Sequence, residues 1–331
     1  MTTFGYLLPT RGIVFSSTSN AELTARASAD VVGLARQAEA LGYGAVWVGD
    51  SVLAKPRLEP LVTLAAVAAA TDAIELGTAV YLPALRHPVH VAHVTATLDQ
   101  LSGGRLSLGV GVGVRPPERE EMEQLGVDYE RRGATLNEAL AVVSNLWEGE
   151  PVDHDGERYE LDGASIGFEP ARTPGIYVAS AAFSPSEGFP PTVRRRLAAH
   201  GDGWLPIAMA PEEYAAGLER IRELLAEAGR PRNAVDPAYY VDVVLADSEA
   251  AAVEEAREFY RAYYGQQVAY GSKRSLSDDE IRRRGAFGPV DEVERRLAEY
   301  VEAGVERFVL RFPAADQREQ LRAFASVADA L

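Results

Sequence analysis

Residues 102–113, SGGRLSLGVGVG, place glycine at 103, 104, 109, 111 and 113. Backbone this bare can come close to a phosphate or a flat ring, so nucleotide binding is the first chemistry to test. A dinucleotide fingerprint needs G-x-G-x-x-G between a first strand and its helix, with an acidic residue about 20 positions on. Here the run is G-V-G-V-G-V, in the fourth strand-like segment, with Pro116 and Pro117 just after it. No G-x-x-x-x-G-K-[ST] occurs either. Both nucleotide-loop readings fail. Ser102, Gly103 and Gly104 stand where a helix must stop and a strand begin, and glycine supplies the left-handed cap there.

Other residues of chemical interest are few. His87, His90 and His93 lie in HPVHVAH, but no H-E-x-x-H pattern accompanies them, and no metal site is expected. His87, just before Pro88 at a helix start, is a candidate proton donor, with capping as the competing role. Arg115 stands alone after the glycine strand and could grip a phosphate bidentately. GSKRSLSDDEIRRRG (271–285) gathers positive charge in which Lys273 and Arg274 could meet an anion, or simply be solvated. Trp47 and Trp204 near strand ends could stack on a ring, although Trp204 reads better as packing beneath it. The chain has no cysteine, which removes disulfides, thiolate metal sites and a thiol nucleophile together.

The formal charge is −16, from 33 basic and 49 acidic residues. Nucleic-acid affinity comes largely from basic phosphate contacts, so that class of partner is not expected. The longest uncharged apolar stretch, PLVTLAAVAAAT (60–71), is shorter than the roughly 20 residues a bilayer crossing needs. The first residues show no basic n-region and no long apolar h-region, so a signal peptide is not expected and a cytoplasmic location is.

The elements that must position these residues alternate in type. FGYLL (4–8), AVWVG (45–49), IELGTAVY (74–81), RLSLGVG (105–111), GIYVAS (175–180), DGWLP (202–206), YYVDVVLA (239–246) and RFVLRF (307–312) read as strands. Segments of helical period follow each of them. Eight such units predict one α/β domain over 1–331, a closed (β/α)8 TIM barrel with insertions at about 112–174 and 264–289, after strands 4 and 7. VDHDGERYEL (152–161) in the first insertion reads as a hairpin about Asp-Gly. On a barrel strand, Gly109, Gly111 and Gly113 have two readings, close approach by a ligand or small-residue packing inside the barrel.

The blocks AEALGYGAVWVGDS (38–51), PLVTLAAVAAATDAIELGTAV (60–80), RHPVHVAHVTATLDQLSGGRLSLGVGVG (86–113) and DGWLP resemble the luciferase-like monooxygenases. RRGATLNEALAVVSNLW (131–147) and GPVDEVERRLAEYVEAGVERFVLRF (288–312) extend the resemblance nearly end to end. It implies a (β/α)8 barrel binding reduced FMN, or the deazaflavin F420, in its mouth. It implies that Thr78, Ala79 and Val80 form a backbone bulge against the ring, often with a non-prolyl cis peptide, and that Asp50 lies near the ring's edge. Gly111, Val112 and Gly113 would line the cofactor channel, and Ser180 and Ala181 would hold the cofactor phosphate. Arg105 and Arg132 also match the pattern, and both read as salt-bridge residues of the scaffold.

Two positions depart from the F420-dependent members, many of which carry a histidine after the second-strand Asp and an acidic residue after the glycines. Here these are Ser51 and Val114. The expectation is therefore an FMN-dependent monooxygenase using oxygen on a small organic substrate, fed by a separate flavin reductase. An F420-dependent hydride-transferring enzyme is the alternative, and a non-catalytic flavin carrier the third reading. A homodimer is expected from the family and from the general prevalence of C2 dimers.

Overall fold

The computed structural model describes residues 2–10, 20–54, 57–114, 116–265, 276–328 and 330–331. Its strands are β1 (Thr3–Leu7), β2 (Ala45–Val48), β3 (Glu75–Thr78), β4 (Leu106–Val110), β5 (Val152–Asp155), β6 (Glu160–Ala164), β7 (Gly175–Val178), β8 (Gly203–Trp204), β9 (Asp236–Leu245), β10 (Gly285–Gly288) and β11 (Arg307–Arg311). The helices are α1 (Asn20–Ala40), α2 (Pro60–Ala68), α3 (Pro88–Ser102), α4 (Pro116–Gln124), α5 (Arg132–Leu146), α6 (Pro191–His200), α7 (Pro211–Glu227), α8 (Glu249–Gly265), α9 (Asp278–Arg282), α10 (Val290–Glu302) and α11 (Gln317–Ala328).

Eight strands, in the order β1, β2, β3, β4, β7, β8, β9 and β11, pair in parallel and close through β11 onto β1. This is the (β/α)8 barrel. The predicted hairpin is also present, β5 and β6 pairing antiparallel outside the barrel. Two elements were not anticipated, α4 and β10, while α9 is the short helix expected within 271–285. Strand β10 pairs with the upper part of β9, Gly285 to Gly288 beside Asp242 to Leu245. Asp236, Tyr240 and Asp242 donate their amides to Asp202, Pro206 and Arg284, so β10 takes over the edge of β9 that β8 occupies lower down. GAFG carries two glycines in four residues, too weak a strand pattern to read in one dimension.

Large rings fill the barrel interior, and glycines opposite admit them. Trp47 is fully buried. A Cβ on Gly5 would fall 2.3 Å from its indole nitrogen, and one on Gly77 2.1 Å from its ring carbon. Gly203 makes room for Tyr177 in the same way. Below these rings Arg307 bridges Glu75 and Asp236, at 2.8 Å each, and Tyr177 donates to Asp236 at 2.6 Å. The half-buried charges at the barrel's floor are thus paired, which offsets the cost of taking them partly out of water. Trp204 also packs rather than stacks on a ligand, face to face with Tyr214 at 4.9 Å.

Candidate active site

The C-terminal ends of the strands carry the site, and β3 is where the backbone departs from a regular ladder. A cis peptide joins Ala79 to Val80. The neighbouring strands hold the segment on both sides. Ala79 donates its amide to Val48, and Asp50 donates to Val80 at 3.0 Å. On the other side Tyr81 donates to Gly109, Gly111 donates to Tyr81, and the Thr78 hydroxyl donates to Gly109 at 2.8 Å. Thr78, Ala79, Val80, Asp50 and Gly111 therefore belong to one hydrogen-bonded unit.

The glycines of β4 serve this unit. A Cβ on Gly109 would lie 2.0 Å from the Thr78 carbonyl oxygen, and one on Gly111 would lie 2.6 Å from Cγ2 of Val80. Gly113 has φ +61° and faces α4, where a Cβ would meet Glu118 at 3.0 Å. Of the two readings of these glycines, accommodation of neighbouring parts of this chain accounts for all three. Val112 between them is half-buried.

The Asp50 side chain is fully buried and accepts three hydrogen bonds. The Leu82 amide donates at 3.0 Å, and Arg86 adds a bidentate pair at 2.6 and 3.0 Å. Burial works to lower the Arg86 pKa, but the hydrogen bond and charge of Asp50 outweigh it and lift the guanidinium above its ordinary value. Arg86 also lies 4.5 Å over the Tyr81 ring, and burial raises that phenol. Asp50 thus ties the strand after the bulge to the end of β2.

Sequence reasoning missed Glu121. It sits on α4 in the first insertion, 1% exposed. Its Oε1 accepts from the Ser51 hydroxyl at 3.1 Å and from the amides of Val52, Leu53 and Ala54. Its Oε2 is buried without a hydrogen-bond partner among the described residues. Val114, where the family pattern suggested an acid, is 67% exposed. A carboxylate does reach the end of β2, but from seventy residues away in sequence. The signal was the acidic run EREE after Pro117, which reads equally well as a solvated helix face.

A cavity of about 80 Å³ opens at the barrel mouth, lined by Gly49, Arg57, Ala79, Tyr240, Arg311 and Phe312 among others. Gly49 and Ala79 come from the ends of β2 and β3, and Arg311 and Phe312 from the end of β11. The remaining walls come from the end of β1, from Tyr240 midway along β9, from Phe259 of α8 and from Gln317 of α11, and the rule that barrel sites sit at strand C-termini could have found only the first of these. Arg311 is paired with Asp242, its Nε 2.6 Å away, and Asp242 also accepts from the Tyr260 hydroxyl.

The remaining expected residues lie around this mouth or apart from it. Ser180 Oγ accepts from the Ala182 amide at 3.3 Å, and the Ser180 carbonyl accepts from the Trp204 indole. Ala181 is exposed beside it. His87 is the N-cap of α3, its Nδ1 accepting from Val89 at 3.4 Å, and its ring meets Tyr159 edge-on. Arg105 and Arg132 are scaffold residues, but their partners are carbonyls rather than carboxylates. Arg105 donates to the carbonyls of Ala68, Thr71 and Ile74, closing the end of α2. Arg132 donates to Gly113 at 3.0 Å and stacks on Tyr129. Arg115, Lys273 and Arg274 lie outside the described residues. No cluster of metal-ligating side chains occurs among the described residues, and no described helix is long and apolar enough to cross a membrane.

Comparison with known proteins agrees with this architecture. A solved F420-dependent secondary alcohol dehydrogenase superposes with a TM-score of 0.80 over 99% of this chain and 98% of its own, at 22% identity. A long-chain alkane monooxygenase, LadA, superposes at 0.77 over 99% and 90%, at 18% identity. In sequence, the F420-dependent glucose-6-phosphate dehydrogenase of Kineococcus radiotolerans is 29% identical over 88% of this chain and 89% of its own. The profile of the luciferase-like monooxygenases matches residues 2–307. Barrel, β3 bulge and near-complete match agree: the chain belongs to the luciferase-like monooxygenase family of oxidoreductases.

Proposed function

We propose that the protein is an F420-dependent oxidoreductase moving a hydride between the deazaflavin and a small organic substrate. This reverses the order expected from the sequence, where FMN and oxygen came first. The observation that carries it is the match to an F420-dependent dehydrogenase along 88% of the chain. The lining of the mouth is of the chemistry such a group takes. Its walls combine apolar side chains, Leu7, Phe259 and Phe312, with the backbone bulge at Ala79.

Bound F420 supplies a ring carbon that accepts or releases hydride, and the protein contributes binding, orientation and exclusion of water. Thr78, Ala79 and Val80 would offer the backbone surface that supports the ring. Asp50 and Arg86 keep that surface in place, and Glu121 holds the loop from Ser51 to Ala54 beside it. Gly111, Val112 and Gly113 border the channel, and Ser180 and Ala181 receive the cofactor phosphate. His87, at the exposed N-terminus of α3, is the candidate to exchange a proton with solvent.

A second reading, the FMN-dependent monooxygenase, is favoured by Ser51 and Val114, neither of which titrates. Fluorescence titration of the purified protein with F420 and, separately, with FMN tests the choice. Saturable binding of F420 with no response to FMN is expected, followed by anaerobic F420 turnover with alcohols or sugar phosphates. Saturable FMN binding with no response to F420 would overturn the proposal and restore the oxygen-using reading.

A further inference from the structure

We propose that Arg57 and Arg311 form an anion subsite in the mouth cavity, built to hold the carboxylate or phosphate of the substrate. Both guanidiniums line the same cavity of about 80 Å³. Arg57 is admitted by an absence of side chain: a Cβ on Gly49 would fall 2.0 Å from its Nη1. Its Nε is buried and makes no hydrogen bond with any described residue. Among the described residues no carboxylate pairs with it.

No neighbouring acid among the described residues turns to Arg57. Asp50 is saturated by Arg86 and the Leu82 amide. Glu121 directs Oε1 to the Ser51 hydroxyl and the amides of its loop, and its Oε2 makes no hydrogen bond with Arg57 or any other described residue. Asp242 is shared by Arg311 and Tyr260. Arg57 thus faces the cavity beside the Arg311–Asp242 pair without a carboxylate of its own among the described residues, in a chain whose formal charge is −16.

A partly desolvated cation with no partner destabilises the fold that contains it. A guanidinium presents a fork of donors that matches a carboxylate or phosphate bidentately. A water occupies about 10–15 Å³ on the same measure, so the cavity has room for an oxyanion of a few heavy atoms. Binding an anion there would neutralise the excess charge and satisfy the idle Nε. The subsite rests on the proposed function only in assigning the anion to a substrate; its existence can be measured without cofactor.

The test is thermal unfolding of wild-type protein, Arg57→Gln and Arg57→Lys against rising inorganic phosphate, with chloride at equal ionic strength as control. The wild type should be stabilised saturably by phosphate and not by chloride. Arg57→Gln should unfold at the same or a higher temperature without phosphate, and bind phosphate at least about tenfold more weakly. Arg57→Lys, keeping charge but not the fork, should fall between. An Arg57→Gln protein that is less stable on its own yet responds normally to phosphate would overturn the proposal. So would a wild type that treats phosphate as chloride. Repeating the titration with saturating F420 assigns the occupant. An undiminished response supports the substrate group, and competitive loss overturns that assignment in favour of an anionic part of the cofactor. If F420 does not bind at all, the proposed function fails while the phosphate result stands.

Discussion

Gly109 and Thr78 approach each other so closely that only glycine fits. A Cβ at 109 would lie 2.0 Å from the Thr78 carbonyl oxygen, while the Thr78 hydroxyl donates to the Gly109 carbonyl at 2.8 Å. The obstacle is backbone, which cannot swing aside as a side chain can. Gly109→Ala should therefore destabilise the barrel by about 1–3 kcal/mol or more. Gly111→Ala, which meets the end of the Val80 side chain, should cost less. Urea denaturation of the two variants checks the order, and equal midpoints would refute it.

The buried pair of Asp50 and Arg86 makes a second expectation. Asp50→Asn removes the charge that neutralises Arg86, whose side chain is 16% exposed and retains only Glu59 at 3.3 Å. Breaking one side of such a pair costs about 3–5 kcal/mol. The Asp50→Asn variant should lose most of that, and Arg86→Met in the same chain should recover part of it. A double-mutant cycle measures the coupling, and strict additivity of the two changes would sink the argument.

Glu121 should act on the site through the loop it holds. Glu121→Gln exchanges a charged acceptor of four donors for a neutral one, and hydrogen bonds to charged groups contribute about 1.5–3 kcal/mol each at most. The variant should melt somewhat lower and bind cofactor more weakly. Glu121→Ala should do both more strongly. Cofactor affinity unchanged in a variant that melts lower would confine Glu121 to stability alone.

His200 supplies a pH dependence. Burial, opposed by Asp202 and reinforced by Arg196 and Arg230, lowers its pKa below the ordinary 6.5. The unfolded chain then takes up this proton at a higher pH than the folded one, so unfolding gains protons as pH falls through about 6.5. Stability from this residue is complete above that pH and declines below it, until the folded pKa is reached. His200→Gln should flatten that part of the curve between about pH 7 and 5. Guanidinium denaturation at intervals across the range checks it; parallel curves for the two proteins would be the contrary result.

The element order and the barrel were legible in one dimension because strand and helix periods differ and eight repetitions leave little ambiguity. FGYLL, AVWVG and GIYVAS announce buried parallel strands, and β1, β2 and β7 form at those places. The pinned bulge at Thr78 to Val80 was legible only through resemblance. GTAV contains nothing in its own residue types that requires an irregular backbone. β10 was hidden because its strand character comes from the β9 edge it completes, not from GAFG. α4 was hidden because EREE suits any solvated helix.

Sequence alone determined the barrel, the acid surface, the absence of thiol chemistry and the strand ends at which a site must be built. These depend on composition and local period, which a chain carries before it folds. Only the tertiary structure decided that Gly109 and Gly111 make room for β3, that Asp50 is consumed by Arg86, and that Glu121 reaches Ser51. It also placed Arg57 over Gly49 without a carboxylate partner among the described residues. Each of these is a distance between residues far apart in the chain, and whether a charge is paired or a glycine is filled depends on what closure of the barrel brings opposite it.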